Sequence, residues 1–177
     1  MATKKKPGNS FRSPEPLRAA HELSHFECGE PALNEWLRRR AMRNEIGGGS
    51  RTYVVCLEPG DEVAAFYSLA TGAVAHDTST GRVRRNMPDP IPAMIIGRLA
   101  VDQRFHGGGL GRAMLRDAIL RTIQAAGIAG IRVILVHAIS ESARLFYERA
   151  GVRSSPIDPM TLMLTIQEAT RAVASGR

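Results

Sequence analysis

Residues 106–112 read His106-Gly107-Gly108-Gly109-Leu110-Gly111-Arg112, a glycine-rich run between a strand-like stretch, 95–102, and a helix-like one. Glycine has no Cβ atom, so it takes positive φ angles freely and lets the backbone approach a ligand closely. Successive N–H groups at the start of a helix then point toward an anion. The run therefore predicts a phosphate-binding turn, with a plain structural turn as the alternative.

Two common nucleotide-binding motifs do not fit this run. The dinucleotide fingerprint GxGxxG would place Arg112 or Met114 at its third glycine, depending on where the pattern starts. The chain also has no GxxxxGK[ST] sequence, which disfavours a nucleotide P-loop.

Length and composition indicate one folded domain. The chain has 177 residues, of which 44% are hydrophobic and 23% charged, as in globular proteins with a substantial core. Residues 1–16 hold three lysines and three prolines without periodicity, so we expect a flexible basic leader there and a single domain over 17–177. The two cysteines and the scattered histidines have no metal-ligand spacing, and we expect no bound metal.

The net charge of +7 favours polyanionic partners. The basic N-terminus lacks the apolar segment of a signal peptide, and no window resembles a membrane span. We therefore expect a cytoplasmic protein that does not bind membranes.

Hydrophobic periodicity predicts alternating helices and strands. After residue 93 the alternation implies a parallel strand pair joined by a helix. Helices are predicted from residue 31 to the glycine break at 47–49, over 110–126 and over 141–150. Strands are predicted over 51–57, 62–71, 95–102, 131–138 and 160–166, and a long exposed connection over 76–92.

The block from Gly97 to Arg121, together with residues 142–151, resembles the GNAT family of acetyl-CoA-dependent N-acetyltransferases. In that family a bulged strand precedes a pyrophosphate loop, Q/R-x-x-G-x-G/A, and a later helix carries a tyrosine facing the thioester. Here His106, Gly109 and Gly111 fall on the three motif positions, His106 being a departure. The resemblance implies an α/β (α+β) GNAT fold with a mixed, largely antiparallel central sheet, splayed at the cofactor site and flanked by helices.

Further motifs, spread from about residue 17 to 166, follow the order seen in the GNAT toxins of bacterial toxin–antitoxin modules. This resemblance implies an enzyme that acetylates the α-amine of aminoacyl-tRNA and blocks translation, with a cognate antitoxin of the ribbon-helix-helix type and a homodimeric state. The chain departs from the pattern at His137, where an acid is common, and at Val152, where an aromatic residue is usual. The motifs are Phe26-x-Cys28-Gly29, Leu33-Asn34-x-Trp36-Leu37, Arg51-Thr52-Tyr53-Val54, Phe66-Tyr67-Ser68-Leu69-Ala70, Pro90-Ile91-Pro92, Gly97-Arg98-Leu99-Ala100-Val101-Asp102 and Leu145-Phe146-Tyr147.

The resemblance also implies which residues hold acetyl-CoA. Backbone groups of the strand before the loop contact the pantetheine arm and the thioester, the loop amides bind the pyrophosphate, and Arg104 or Arg112 supplies charge. Ser140 sits where related enzymes often place an asparagine that meets the cofactor. The implied set is Leu99, Ala100, Val101, Arg104, His106, Gly107, Gly108, Gly109, Leu110, Gly111, Arg112 and Ser140.

Tyr147 is the candidate general acid. A phenol with a pKa of about 10 is protonated at neutral pH and can protonate a leaving thiolate with a pKa of about 8.5. The alternative is a half-buried ring that only packs. The sequence shows no strong general base, and an α-amino group with a pKa of about 7.7–8.0 has an appreciable neutral fraction without one.

Two arginine clusters are candidates for tRNA binding: Arg38, Arg39 and Arg40 at the end of the first helix, and Arg82, Arg84 and Arg85 in the long connection. For the first cluster the alternatives are a solvated helix face and a docking face for an acidic antitoxin segment. Two other functions stay open for the chain. One is acetylation of a small amine or a protein lysine, which would need an acidic pocket or a peptide groove, and the other is a catalytically idle module that binds CoA or nucleic acid.

Overall fold

A computed structural model describes residues 8–176 and contains one seven-stranded sheet. The strands are Glu15–Pro16 (β1), Arg51–Cys56 (β2), Val63–Val74 (β3), Ile91–Val101 (β4), Val133–His137 (β5), Arg153–Ser154 (β6) and Thr161–Thr165 (β7). Their order is β1-β2-β3-β4-β5-β7-β6, and β4 with β5 is the parallel pair among antiparallel neighbours. The mixed, largely antiparallel sheet implied by the resemblance is confirmed.

The helices cover both faces of this sheet. The single helix predicted from residue 31 to the glycine break is two helices, interrupted at Arg40, which has φ −117° and caps both of them. None of the helices in the described range 8–176 is long and apolar enough to cross a membrane. The helices are Pro31–Arg39 (α1), Ala41–Gly47 (α2), Gly81–Arg84 (α3), Leu110–Ala126 (α4), Glu141–Arg149 (α5) and Ile166–Ala174 (α6).

Side chains alternate between the two faces along β4. Leu99 and Val101 pack with the cluster that holds α4 residues such as Met114. Ala100 packs on the opposite face with Trp36 of α1. Consequently β4 presents one set of side chains to α4 and the other to α1.

The sheet opens between β4 and β5. Their pairing runs from Ala93 with Val133 to Ile96 with Val136, whereas β4 continues along β3 to Val101. The β3–β4 register shifts where Ser68 pairs with Arg98 and Leu69 with Ile96, which leaves Gly97 as the bulged residue. The register shift at Gly97 produces the bulge in β4, and the end of the β4–β5 pairing at Ile96 produces the splay.

The N-terminal segment differs from the predicted flexible leader. Residues 1–7 lie outside the described range, but Phe11 bridges Leu57 and β1 pairs with β2. Phe11 also packs edge-on against Phe105, with 5.3 Å between the ring centroids. The prediction of a flexible leader is therefore wrong for residues 11–16, because an exposed edge of β2 and an aromatic contact hold them in place.

The long connection over 76–92 is also more ordered than expected. It contains a 3-10 turn, His76–Thr78, and the short helix α3. Val83 is buried against Ile91, Val133 and Met163, so the connection covers the sheet instead of standing free in solvent.

Candidate active site

A cavity of about 750 Å³ opens where β4 and β5 diverge. Its walls come from four places in the fold: β4 from Ile96 to Val101, the glycine run, the segment from His137 to Tyr147, and the start of α1. The structure thus brings together most of the residues implied as cofactor ligands. Those on the wall are Leu99, Ala100, Val101, His106, Gly107, Gly109, Leu110, Gly111, Arg112 and Ser140.

The glycine run adopts the conformation expected of an anion-binding turn. Gly107 and Gly109 have φ of +78° and +84°, and Gly109 is the N-cap of α4 without a side-chain cap. The first N–H groups of a helix have no intrahelical partner and can point at an anion. Gly111 could accommodate a Cβ atom, which would lie in ordinary contact, 3.6 Å from side-chain atoms of Val101 and Phe146.

His106 ties the glycine run to the sheet. Its Nε2 donates to the carbonyl oxygen of Val101 at 2.6 Å, because a carbonyl can only accept. The imidazole therefore links the first residue of the run to the last residue of β4.

Arg104 lies outside the cavity wall, contrary to the expectation that it supplies charge to the cofactor. Its Nε donates to Asp102 Oδ1 at 2.9 Å, and its Nη2 to Glu62 at 2.7 Å. Burial opposes ionisation of Asp102, but hydrogen bonds from Arg104 and from the Glu27 amide outweigh it and lower the pKa of Asp102. We correct this assignment because the guanidinium is already neutralised by two carboxylates.

Tyr147 lies on α5, lines the cavity and is 6% exposed. Ser140 starts this helix, since its Oγ accepts a hydrogen bond from the Ala143 amide at 3.2 Å. Burial raises the pKa of Tyr147 to about 12, because a phenolate would lose hydration there. The phenol therefore stays protonated at neutral pH and can serve as a proton donor.

Val152 and His137, the two departures from the family pattern outside the glycine run, have different environments. Val152 is buried in the core beside Tyr147. His137 is exposed at the end of β5, lines the cavity, and has its Nδ1 3.0 Å from Thr161 Oγ1.

Sequence reasoning missed several residues on the cavity wall. Cys28 and Glu30 reach it from the segment before α1, Leu33 from α1 itself, and Arg98 from β4. Arg98 lies inside a motif quoted above, and the strand alternation with Leu99 would have placed it on the α1 face. Its guanidinium carbon lies 4.3 Å from the Trp36 ring centroid.

The two arginine clusters lie in different places. Arg38 donates to the carbonyl of Phe26 at 3.0 Å, Arg39 pairs with Glu35, and the charge of Arg40 acts on Arg98. Helix α3, which holds Arg82 and Arg84 and is followed by Arg85, lies at the start of β5, because Arg132 donates to the carbonyls of Arg82 and Val83. The cavity is at the other end of β5, and Arg82, Arg84 and Arg85 do not line it.

Comparison with known proteins agrees with this geometry. The acetyltransferase (GNAT) domain model matches residues 48–153. The chain is 47% identical over 161 residues to the tRNA-acetylating toxin of Mycobacterium tuberculosis, an alignment that covers 91% of this chain and 96% of that protein. The fold is similar to that of AtaT complexed with acetyl-methionyl-tRNAfMet, with TM-score 0.85, 25% identity, and coverage of 93% and 99%. It is also similar to AtaTR bound with AcCoA, with TM-score 0.78, 27% identity, and coverage of 91% and 97%.

Proposed function

Because the chain belongs to the GNAT acetyltransferase family, we propose that it transfers an acetyl group from acetyl-CoA to the α-amine of aminoacyl-tRNA and, as a toxin, blocks translation. The chain is an N-acetyltransferase with acetyl-CoA as co-substrate. The observation that carries the proposal is one cavity shared by the glycine turn and a buried, protonated Tyr147.

The cavity fits acetyl-CoA, whose chemical contribution is an activated acetyl thioester. The N–H groups that open α4 after Gly109 are suited to the pyrophosphate. The β4 edge beyond Ile96 is no longer paired with β5. Backbone groups on this edge between Gly97 and Val101 are therefore available to orient the pantetheine arm, except the Val101 carbonyl, which accepts from His106. Backbone donors aimed at developing charge can be worth a few kcal/mol.

Tyr147 is proposed to hold the proton that the departing thiolate needs. Its raised pKa keeps the phenol protonated, and its place on the cavity wall brings it to the donor. The acceptor amine reaches the thioester in its neutral form, so direct attack needs no strong base from the protein.

The charges on the cavity wall favour a polyanionic acceptor over the small-amine or lysine alternative. Among the described residues, Glu30 is the single carboxylate on this wall, whereas Arg98 and Arg112 contribute cations. A cationic acceptor would call for an acidic pocket. The idle-module alternative is disfavoured because the donor turn and Tyr147 line the same cavity.

The remaining parts of the proposal concern partners and location. By its likeness to tRNA-acetylating toxins, the chain is proposed to act in the cytoplasm as a homodimer, controlled by an antitoxin of the ribbon-helix-helix type. The clusters Arg38, Arg39, Arg40 and Arg82, Arg84, Arg85 are proposed to contact the tRNA backbone beyond the cavity.

The direct test is mass spectrometry of charged tRNA after incubation with the protein and acetyl-CoA. We expect a mass increase of one acetyl group on the esterified amino acid. Uncharged tRNA and N-formylated aminoacyl-tRNA serve as controls, because both lack a free α-amine. Acetylation of free amino acids or lysine peptides, with none on charged tRNA, would contradict the proposal.

The pH dependence of turnover should show a rising limb without a falling limb up to about pH 10. The rising limb reports deprotonation of the acceptor amine. A tyrosine with an ordinary pKa of about 10 would lose its proton near that pH, and the activity would fall with it. The raised pKa of Tyr147, about 12, moves this loss of activity to higher pH. Initial rates with a non-hydrolysable 3′-amide aminoacyl-tRNA measure the profile, and a falling limb centred below about pH 10 would contradict Tyr147 as an acid with a raised pKa.

A further inference from the structure

Arg98 extends from β4 toward the side of the sheet opposite the glycine turn. Its neighbours Leu99 and Val101 pack toward α4, whose N-terminus forms that turn. Arg98 instead lies over Trp36 of α1, in the same layer as Ala100. Its guanidinium therefore faces the part of the cavity away from the proposed pyrophosphate site.

Among residues 8–176, the positive charge of Arg98 has no carboxylate partner, and the charge that acts on it is that of Arg40. Other half-buried arginines are neutralised: Arg12 by Asp61, Arg121 by Asp117 and Arg144 by Glu148. Within residues 8–176, no carboxylate pairs with Arg98, and burial followed by the charge of Arg40 lowers its pKa. A half-buried cation beside a second cation is unfavourable unless an anion joins it.

Trp36 holds the guanidinium in place. The indole is 6% exposed and stacked on Phe66, with 5.9 Å between the ring centroids. Stacking on an aromatic face leaves the in-plane N–H donors of an arginine free. These donors match the oxygens of a phosphate in a bidentate arrangement.

We propose that Arg98 binds the phosphate that links the last two nucleotides of aminoacyl-tRNA and thereby positions the α-amine at the thioester. This inference rests on the proposed function. In aminoacyl-tRNA the amino acid is esterified to the terminal ribose, so that linkage is the nearest anion to the amine. Acetyl-CoA also carries phosphates, but the glycine turn proposed to bind its pyrophosphate lies on the α4 side of β4.

A thermodynamic cycle that combines a change at Arg98 with a change at the last phosphate of the tRNA tests the proposed contact between them. Aminoacyl-tRNA is prepared by ligating a synthetic 3′ end with either the native phosphate or a neutral methylphosphonate at the last linkage. We expect the methylphosphonate to lower kcat/KM of the parent about 10- to 100-fold, the size of a lost charge-assisted hydrogen bond. Arg98→Gln should lower kcat/KM on the native tRNA by a similar factor. The kcat/KM of this variant should then be the same for the native and the methylphosphonate tRNA.

Control measurements separate this role from others. Arg171→Gln makes the same charge change on exposed α6 and should keep the sensitivity to methylphosphonate. Acetyl-CoA affinity of Arg98→Gln, measured by calorimetry, should stay within about twofold of the parent, which also verifies folding. Arg98→Lys, which keeps a charge but not the planar fork, should retain part of the preference for the native linkage.

Three outcomes would overturn the inference. The parent could have the same kcat/KM with both linkages, or Arg98→Gln could lose as much kcat/KM with the methylphosphonate as the parent does. The third is a loss of acetyl-CoA affinity in Arg98→Gln large enough to explain its lower kcat/KM. Failure of the parent to acetylate native aminoacyl-tRNA is a different result. That result would contradict the proposed function itself.

Discussion

Tyr147→Phe should lower acetyl transfer to charged tRNA by about 10²–10⁴-fold, the range typical of lost acid–base catalysis. The substitution keeps the buried ring and its edge-on contact with Phe146, at 5.1 Å between the ring centroids. It removes the hydroxyl that is proposed to protonate the leaving thiolate. Turnover measured by mass spectrometry should therefore fall while acetyl-CoA affinity and folding are kept.

Tyr53→Phe is the matched control for this variant. Tyr53 stacks on Tyr67 and lies under Arg121, away from the cavity wall, so the same chemical change there should leave turnover unaltered. In cells, Tyr147→Phe should relieve the growth arrest caused by the parent. An inactive Tyr147→Phe protein that still arrests growth would contradict a toxin that acts by acetylation, and a fully active one would move the acid to another group.

Gly109→Val should weaken acetyl-CoA binding by about tenfold or more. Gly109 has φ +84°, a conformation that costs an L-residue roughly 1–2 kcal/mol, and β-branching makes it less accessible still. The loop can escape this strain only by changing the backbone that presents the first N–H groups of α4. Calorimetry with acetyl-CoA measures the loss, and each 1.4 kcal/mol corresponds to about tenfold in affinity.

Gly130→Val controls for the added bulk, because a Cβ there has no atom within 4 Å and the residue is not at positive φ. Gly111→Asp probes the same site through charge. A Cβ at Gly111 fits in ordinary contact with Val101 and Phe146, so Gly111→Ala should be milder than the aspartate, which brings a like charge to the pyrophosphate. Parent-like affinity for both Gly109→Val and Gly111→Asp would show that the turn does not bind the phosphates.

The chemistry of the donor site could be predicted from local sequence. Positive φ at Gly107 and Gly109 follows from glycine's lack of a Cβ atom, and the helical period gave the exact bounds of α4, residues 110–126. Tyr147 was assigned through the resemblance and not through periodicity, which alone could not distinguish an acid from a packing ring. The structure places it on the cavity wall and raises its pKa by burial.

Contacts between segments that are distant in the sequence decided which basic residues are neutralised and how the N-terminal segment is held. Arg104 and Arg98 are both basic residues close to the glycine run in the sequence. Glu62 and Asp102 neutralise Arg104, whereas Arg98 lies over Trp36 and feels the like charge of Arg40. Phe11 and β1 are held by β2 in spite of a composition typical of a flexible leader. The sequence by itself determined the backbone turn and the helix α4, because these depend on neighbouring residues, and the net charge, which depends on composition. Tertiary structure alone decided which charges remain free to bind substrate, because each ion pair depends on which carboxylate the fold brings within reach.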